Sequence, residues 1–313
     1  MFNTSNRSLL RSRSRFTPLM LGLLCLLMLT TLAVPKAEAA PPASAASAKF
    51  TILPDVPNVL DSAALGINNR GQVVGILFDS DFNAHGFLYE RGVYTILAAP
   101  GALVGPTFPV GINNQGQIVG SYQDSDFNVH TFVYEKGIYT TLPDPPGAVF
   151  GVFPNGINEK GQIIGTYQDE NFQNYAYVYD KGVYVILPNV PGAALTIPSG
   201  INNSGQITGY FYDQDFTGYG FLYEKGVYTT LTVPGDAIAT FSTAINNQGT
   251  VVGYYLDSAF NAHGLVYARG LYTTFDVPGA VFGTLVYGVS DSGNISGTYY
   301  DGDFLPHNFV LRL

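Results

Sequence analysis

A ten-residue pattern recurs six times in this 313-residue chain. The copies read GINNRGQVVG, GINNQGQIVG, GINEKGQIIG, GINNSGQITG, AINNQGTVVG and GVSDSGNISG, and they start at Gly66, Gly111, Gly156, Gly200, Ala244 and Gly288. The starts are 44 or 45 residues apart. A fixed period of this length predicts a repeat architecture in which each period is one supersecondary unit.

Each period contains four short apolar runs. In the second unit, FPVGI precedes an NNQG turn, QIVGSYQ precedes DSDFN, HTFVYE precedes KG, and IYTTL precedes PDPPGA. Runs of Val, Ile, Tyr, Phe and Thr bounded by Gly, Asn, Asp and Pro predict four antiparallel strands, here called a to d. Strands b, c and d are apolar nearly throughout, which predicts sheets buried on both faces. We therefore predict an all-β, six-bladed β-propeller with four strands per blade; a β-solenoid is the alternative.

The two ends of the repeat region complement each other. The sixth unit stops at NFVLRL, its strand c, whereas KFTIL from Lys49 precedes the first unit and matches strand d of the others. We predict that Phe50 to Leu53 pairs with Asn308 to Leu311 and closes the ring, which removes the last open sheet edge. A solenoid would have no use for this arrangement.

The repeated motif itself is explained by this architecture. The Gly or Ala that begins each copy would end strand a, the innermost strand, where backbones approach closely. The Asn pairs, such as Asn68 and Asn69, are predicted to occupy positive-φ positions of the turn between strands a and b.

Residues 1–39 resemble a Sec-type signal peptide. Four Arg residues precede an apolar run from Leu19 to Val34, and AEA follows at Ala37 to Ala39. The alternative is an uncleaved membrane anchor, for which the run is short. Residues 40–48, APPASAASA, are predicted to form a disordered linker, and 49–313 the single propeller domain. The expected location is extracellular or periplasmic.

The net charge of the chain excludes some classes of binding partner. Without residues 1–39 the chain has 9 Lys and Arg against 22 Asp and Glu, a net charge of −13. Such a chain is repelled by phosphate backbones and anionic lipids, so neither nucleic acid nor a membrane is an expected partner. Cys25, the only cysteine, lies in the predicted signal peptide, so we expect no disulfide in the exported protein, which we predict to be monomeric.

The units resemble the HAF-repeat extracellular proteins. That family shows GINN.GQVVG, an Asp loop, His-Ala-Phe or His-Gly-Phe, a strand and a PGA turn. Here the triads are HGF, HTF, YAY, YGF, HGL and HNF, starting at His85, His130, Tyr175, Tyr219, His263 and His307. The resemblance covers residues 50–313 and implies secretion and a propeller; it implies no reaction and no catalytic residues.

All four histidines therefore occupy one repeat position, at the start of strand c. Equivalent positions are spread around a ring, so these histidines cannot converge on one zinc ion. The two Tyr replacements favour a structural role for this position, with the polar tip of the ring at the blade edge.

The loops between strands b and c each hold Asp and Phe. Paired oxygens suggest a calcium site, with candidate ligands Asp79, Asp81, Asp124, Asp126, Asp169, Asn171, Asp213, Asp215, Asp301 and Asp303. The alternative is an Asx-type turn with Phe folded onto the blade. If the rim binds a ligand, its contacts would be Phe82, Phe127, Phe172, Phe216, Phe260 and Phe304, on the same face as the PGA turns.

The polar residues recur from unit to unit, and no GxSxG, HExxH or phosphate loop is present. An enzyme needs an asymmetric constellation. The sequence therefore favours a secreted, non-catalytic interaction or scaffold propeller with an acidic loop rim and an unidentified protein or glycan partner. A calcium-dependent propeller hydrolase or lyase and a lectin-like propeller are the alternatives; calcium is the only cofactor considered.

Overall fold

The computed structural model describes residues 49–56, 58–102 and 106–312. The predicted signal peptide and linker lie outside the described residues. The described part forms no helix that is long and apolar enough to cross a membrane.

The repeats form six four-stranded antiparallel sheets, as predicted. Blade 1 contains β2–β5, blade 2 β6–β9, blade 3 β10–β13, blade 4 β14–β17, blade 5 β18–β21, and blade 6 β22–β24 with β1. In chain order the strands are Lys49–Ile52, Val59–Ile67, Val73–Asp79, Ala84–Glu90, Val93–Leu97, Thr107–Ile112, Ile118–Gln123, Val129–Glu135, Ile138–Thr141, Val152–Ile157, Ile163–Gln168, Asn174–Asp180, Val183–Leu187, Leu195–Ile201, Ile207–Tyr212, Gly218–Glu224, Val227–Leu231, Ala239–Ile245, Val251–Leu256, Ala262–Ala268, Leu271–Phe275, Thr284–Val289, Asn294–Tyr300 and Pro306–Arg312.

The predicted ring closure is confirmed. Strand β1 pairs antiparallel with β24, with Phe50 opposite Leu311 and Ile52 opposite Phe309. The amide of Leu53 extends the ladder by donating to the carbonyl of Asn308 at 2.8 Å. The last blade is therefore completed by the first strand of the chain.

Strand a is the innermost strand, and its register explains two glycines of each copy. Every strand a has a β-bulge just before its Gly or Ala, as between Pro109 and Gly111. A Cβ added to Gly66 would lie 3.2 Å from the Cα of Gly111 in the next blade, which confirms the predicted close approach. The bulge also pushes a strand-a carbonyl against strand b, where the motif has its last glycine, for example Gly75.

Two expectations were wrong. In the turns between strands a and b the positive φ belongs to the glycine, such as Gly71 at 73°, and not to the Asn pair. Strand d is not buried on both faces: in β5 only Leu97 is buried, because strand d is the outer edge of the blade and has one packed side. Its apolar residues pack beside strand c, where Phe87 is fully buried.

Candidate ligand-binding face

The four-stranded blades place their connections on two opposite faces of the ring. We call the loop face the side with the b–c loops and the d–a segments; its b–c loops are residues 80–83, 124–128, 169–173, 213–217, 257–261 and 301–305. The turn face carries the a–b turns and the c–d turns, the latter at 91–92, 136–137, 181–182, 225–226 and 269–270. The b–c loops and PGA turns share one face, as the sequence predicted.

Each b–c loop is an Asx turn built on its first Asp. In blade 1, Oδ1 of Asp79 accepts hydrogen bonds from the amides of Asp81 and Asn83, both at 2.9 Å. The carbonyl of Asp79 accepts the amide of Phe82 at 3.0 Å. The five other loops repeat these bonds on Asp124, Asp169, Asp213, Asp257 and Asp301. The turn predicted as the alternative to a metal loop is therefore present.

The rings of Phe82 and Phe216 are not folded onto their blades, contrary to expectation. All six loop phenylalanines have a φ of 60–65°, a left-handed conformation that is rare for a bulky side chain. All six are exposed: Phe82 is 79% exposed and Phe304, the lowest, 45%. The Asx hydrogen bonds hold each loop in a strained turn that displays an aromatic ring to solvent.

Two of these rings join the d–a segments. Phe172 stacks on Phe150 with ring centroids 4.2 Å apart, and Phe304 stacks on Phe282 at 3.5 Å. Both partners come from the d–a segments that start the same blades. Blades 3 and 6 therefore each present two stacked rings on the loop face, and each of the remaining four blades presents the ring of its loop Phe.

Each of the four histidines contacts the first Asp of the b–c loop in its own blade. Nε2 of each His lies 2.9–3.3 Å from Oδ2 of the first loop Asp, as in His130 with Asp124. Tyr175 makes the same contact by donating its hydroxyl to Asp169 at 3.3 Å, which explains how Tyr replaces His. In five of the six blades this position makes a hydrogen bond to the first Asp of the loop, and its structural role stays a prediction.

Three histidines also reach a carboxylate in the d–a segment. Nδ1 of His263 lies 3.0 Å from Asp276, that of His307 lies 3.4 Å from Asp55, and that of His130 lies 3.8 Å from Asp144. The hydrogen bond that His263 donates to Asp276 raises the pKa of His263 against the opposing effect of burial. Burial lowers the pKa of His307, but Asp301 and Asp55 together raise it above its usual value.

These pairs predict a stability maximum in mildly acidic solution. The hydrogen bond with His85 leads the causes that lower the pKa of Asp79, so that carboxylate contributes stability above about pH 4 and loses it as the pH falls. His263 and His307, whose pKa values are raised, stabilise the fold when protonated, below about pH 6.5. This contribution is lost as the pH rises through their pKa values in the folded protein. We expect the melting temperature to be highest between these limits.

The measurement is a thermal melt across pH 3 to 9. The double variant His263→Gln, His307→Gln should lack the decline above about pH 6.5, since neither Gln titrates. His85→Gln, which removes a His that faces one carboxylate instead of two, is the control and should keep that decline. An unchanged alkaline limb in the double variant would contradict the assignment.

Charge is divided between the two faces. Of the 22 acidic residues in 49–312, 16 lie on the loop face: Asp55, Asp61, Asp79, Asp81, Asp124, Asp126, Asp144, Asp169, Glu170, Asp213, Asp215, Asp236, Asp257, Asp276, Asp301 and Asp303. All nine basic residues of that range lie on the turn face, at the turns or at the strand ends beside them: Lys49, Arg70, Arg91, Lys136, Lys160, Lys181, Lys225, Arg269 and Arg312. The loop face therefore carries negative charge without a compensating Lys or Arg.

The loops do not bring together a metal ligand set in the described residues. No three His, Cys, Asp or Glu side chains there could hold a metal ion. The oxygens of Asp79 already accept from Asp81, Asn83 and His85, while Asp81 points its exposed side chain to solvent. Calcium binding by the loop carboxylates stays a prediction.

The opposite end of the axis has a feature that the sequence analysis missed. Nδ2 of Asn68 donates to the carbonyl of Asn113 in the next blade at 3.0 Å, and the same bond recurs from Asn113, Asn158, Asn202 and Asn246. A second set of hydrogen bonds also joins neighbouring a–b turns: a backbone amide of one turn donates to a side chain of the turn in the next blade. In this set the carboxylate of Glu159 accepts the amide of Asn114, and that of Asp291 accepts the amide of Asn247. The repeated Asn pairs are therefore inter-blade links. The recurrence of both Asn residues in most units was the available signal.

The fold and its two faces define the class of protein: a six-bladed β-propeller with aromatic loops on one face. No family model matches this chain, and no curated protein matches its sequence.

Solved structures are similar in fold. AofleA from Arthrobotrys oligospora has 14% sequence identity, with 85% of this chain and 86% of that chain covered at a TM-score of 0.55. A mutant of Aleuria aurantia lectin in complex with Fucalpha1-6GlcNAc has 12% identity, 81% and 93% coverage, and a TM-score of 0.50. TolB from Acinetobacter baumannii has 12% identity, 80% and 64% coverage, and a TM-score of 0.50. At these identities the likeness concerns the fold.

Proposed function

We propose that this protein is a secreted, non-catalytic binding propeller of the HAF-repeat type that recognises glycans with its loop face. One observation carries the proposal: six equivalent loops hold a Phe ring 45–79% exposed in a strained, hydrogen-bonded turn. Exposed apolar groups gathered on one face mark an interaction site. Strain maintained in every repeat is typical of a functional surface.

The chemistry beside the rings suits a saccharide. In four loops an exposed carboxylate follows two residues after the turn Asp, at Asp81, Asp126, Asp215 and Asp303. Carboxylates accept hydrogen bonds from sugar hydroxyls, and an aromatic ring packs against the apolar face of a pyranose. The likeness in fold to a lectin complexed with a fucosylated disaccharide supports the same ligand class.

A non-catalytic role agrees with how the axial carboxylates are used. Glu159 accepts the amide of Asn114 at 2.9 Å, and Asp291 accepts both the amide and the side chain of Asn247 at 2.8 Å. Both groups link neighbouring blades.

The test is binding of the exported protein to a glycan array and to insoluble polysaccharides. The variant Phe82→Ala, Phe216→Ala removes the two most exposed rings, at 79% and 78%. Because six linked sites bind with avidity, we expect apparent affinity to fall on the order of 10-fold or more.

The matched control is Val93→Ala, Val227→Ala. These side chains are 62% and 63% exposed and lie on the turn face, so their loss should leave binding unchanged. Failure of the wild-type protein to bind any glycan, or equal binding by the Phe variant, would refute the proposal.

A further inference from the structure

The seam between blade 6 and blade 1 is built differently from the other seams. In four blades a Thr at the start of strand a accepts a hydrogen bond from a backbone amide of the preceding d–a segment. The pairs are Thr107 with Ala99 at 2.9 Å, Thr196 with Val190 at 3.0 Å, Thr240 with Val233 at 3.3 Å, and Thr284 with Val277 at 3.1 Å. This bond holds the segment against its blade.

A Tyr in strand d of the blade that the segment leads into holds the beginning of the segment, next to the preceding blade. The hydroxyl of Tyr184 donates to the carbonyl of Pro143 at 2.7 Å, and that of Tyr228 to the carbonyl of Pro188 at 2.6 Å. The hydroxyl of Tyr272 accepts the amide of Thr232 at 3.0 Å. These hydroxyls therefore serve as inter-blade fasteners.

At the blade 6–blade 1 seam the residue at the Thr position has a different partner. Ser62 stands at the Thr position and Tyr94 at the Tyr position. The side-chain amide of Asn308 donates to Ser62 Oγ at 2.9 Å, and Ser62, Tyr94 and Asn308 line one cavity. Thr298 fixes the amide by donating to Asn308 Oδ1 at 2.8 Å.

Asn308 departs from the repeat. Its equivalents in the other blades are Gly86, Thr131, Ala176, Gly220 and Gly264. None of these side chains has an amide that could donate to a hydroxyl of strand a. The polar cluster is therefore a property of this seam alone among the described blades.

A cavity of about 140 Å³ opens beside Ser62, Tyr94 and Asn308. Leu53, Val59 and Pro306 form apolar walls, and Ser62 and Tyr94 line its polar side. Asp55 stands at the cavity with its carboxylate 70% exposed and 3.4 Å from Nδ1 of His307. The cavity is smaller than a typical drug-sized site, so it suits a small ligand unit.

We propose that this seam pocket binds one neutral pyranose unit of a glycan. Because Ser62 Oγ accepts from Asn308, its own O–H group remains available as a donor to a ligand, and Tyr94 lines the same cavity. The Asp55 carboxylate accepts sugar hydroxyls, and the apolar walls take the C–H face. The acidic loop face disfavours anionic ligands. The inference rests on the proposed glycan function but assigns a site distinct from the Phe loops.

The test is a titration of isotope-labelled exported protein with neutral monosaccharides: glucose, galactose, mannose, fucose and N-acetylglucosamine. At least one should shift the backbone amides of residues 53–62 and 305–308 in a saturable manner. Asn308→Gly, which installs the residue of three other blades, should weaken that sugar on the order of 5-fold or more. Val183→Ala, on the turn face of blade 3 where the residue is 60% exposed, is the control and should bind as the wild type does.

Ser62→Ala is the second variant, chosen because it keeps the small size of the side chain; thermal melts identify any variant that does not fold. Three results would overturn the assignment. They are no saturable shift with any of the five sugars, shifts only in residues away from the seam, or wild-type affinity in both the Asn308→Gly and the Ser62→Ala variants. If glycan-array binding is lost in the Phe82→Ala, Phe216→Ala variant while the seam amides never respond, only the seam site fails. If the seam amides respond but no array binding occurs, the Phe-loop function fails and the seam site stands.

Discussion

Removal of residues 49–53 is expected to abolish the cooperative thermal unfolding transition of the propeller. This segment supplies β1, and its Phe50 ring packs 6.1 Å from Phe309 and 6.2 Å from Phe275. Leu53 is 4% exposed. Each buried apolar side chain contributes about 1.5–3 kcal/mol, and each lost ladder bond about 1 kcal/mol. The summed loss is comparable to a whole domain stability of about 5–15 kcal/mol.

A circular permutant separates loss of the strand from loss of the chain terminus. It would begin at Val59 and place residues 49–58 after Leu313 through a Lys-Gly turn like those of the other blades. All sheet pairings are retained, so this chain should melt cooperatively near the parent temperature. Calorimetry of the three proteins is the measurement; a deletion variant that melts like the parent would show that β1 does not close the ring.

Gly75→Ala is expected to destabilise the protein more than any change on its surface. The added Cβ would overlap the carbonyl oxygen of Ala63 and lie 2.8 Å from the Phe87 ring. A backbone oxygen cannot move aside cheaply, and Phe87 is fully buried. Overpacking of this kind costs about 1–3 kcal/mol, and backbone overlap places the expected loss at or above the upper end.

Gly111→Ala is the matched control, since it makes the same chemical change on strand a, directly after the bulge, where no carbonyl oxygen overlaps an added Cβ. There the nearest atoms to an added Cβ lie at 3.4 Å, and blade 5 already has Ala244 at this position. We expect a loss below about 1 kcal/mol. Denaturant unfolding of both variants provides the comparison, and equal losses would refute the role assigned to the bulge carbonyl.

The repeat pattern was sufficient to predict the architecture. The period, the four apolar runs and the strand that Lys49 begins predicted six blades and the pairing of Phe50 with β24. These features are determined by chain connectivity and hydrophobic burial, which a sequence displays directly. The sequence also predicted that the Asp-Phe loops and PGA turns share a face, because antiparallel strands alternate their ends.

The use of individual polar groups required the tertiary structure. Asn68 was expected to adopt a positive φ, yet its side chain bonds to the next blade, a partner 45 residues away. Phe82 was expected to pack on its blade, but the Asx turn directs it to solvent. The contact of Asn68 does not follow from local propensity, because it depends on which donors and acceptors meet across a seam.

The seam pocket shows most clearly which features the sequence determined and which required the tertiary structure. The sequence by itself determined the number of blades, the closure of the ring and the acidic composition of 49–313, since these depend on periodicity and on counts of side chains. Only the tertiary structure decided that Ser62, Tyr94 and Asn308 meet, because Ser62 and Asn308 are 246 residues apart and come together only when the ring closes. A hydrogen bond is made within about 3 Å, and spacing along the chain carries no information at that scale.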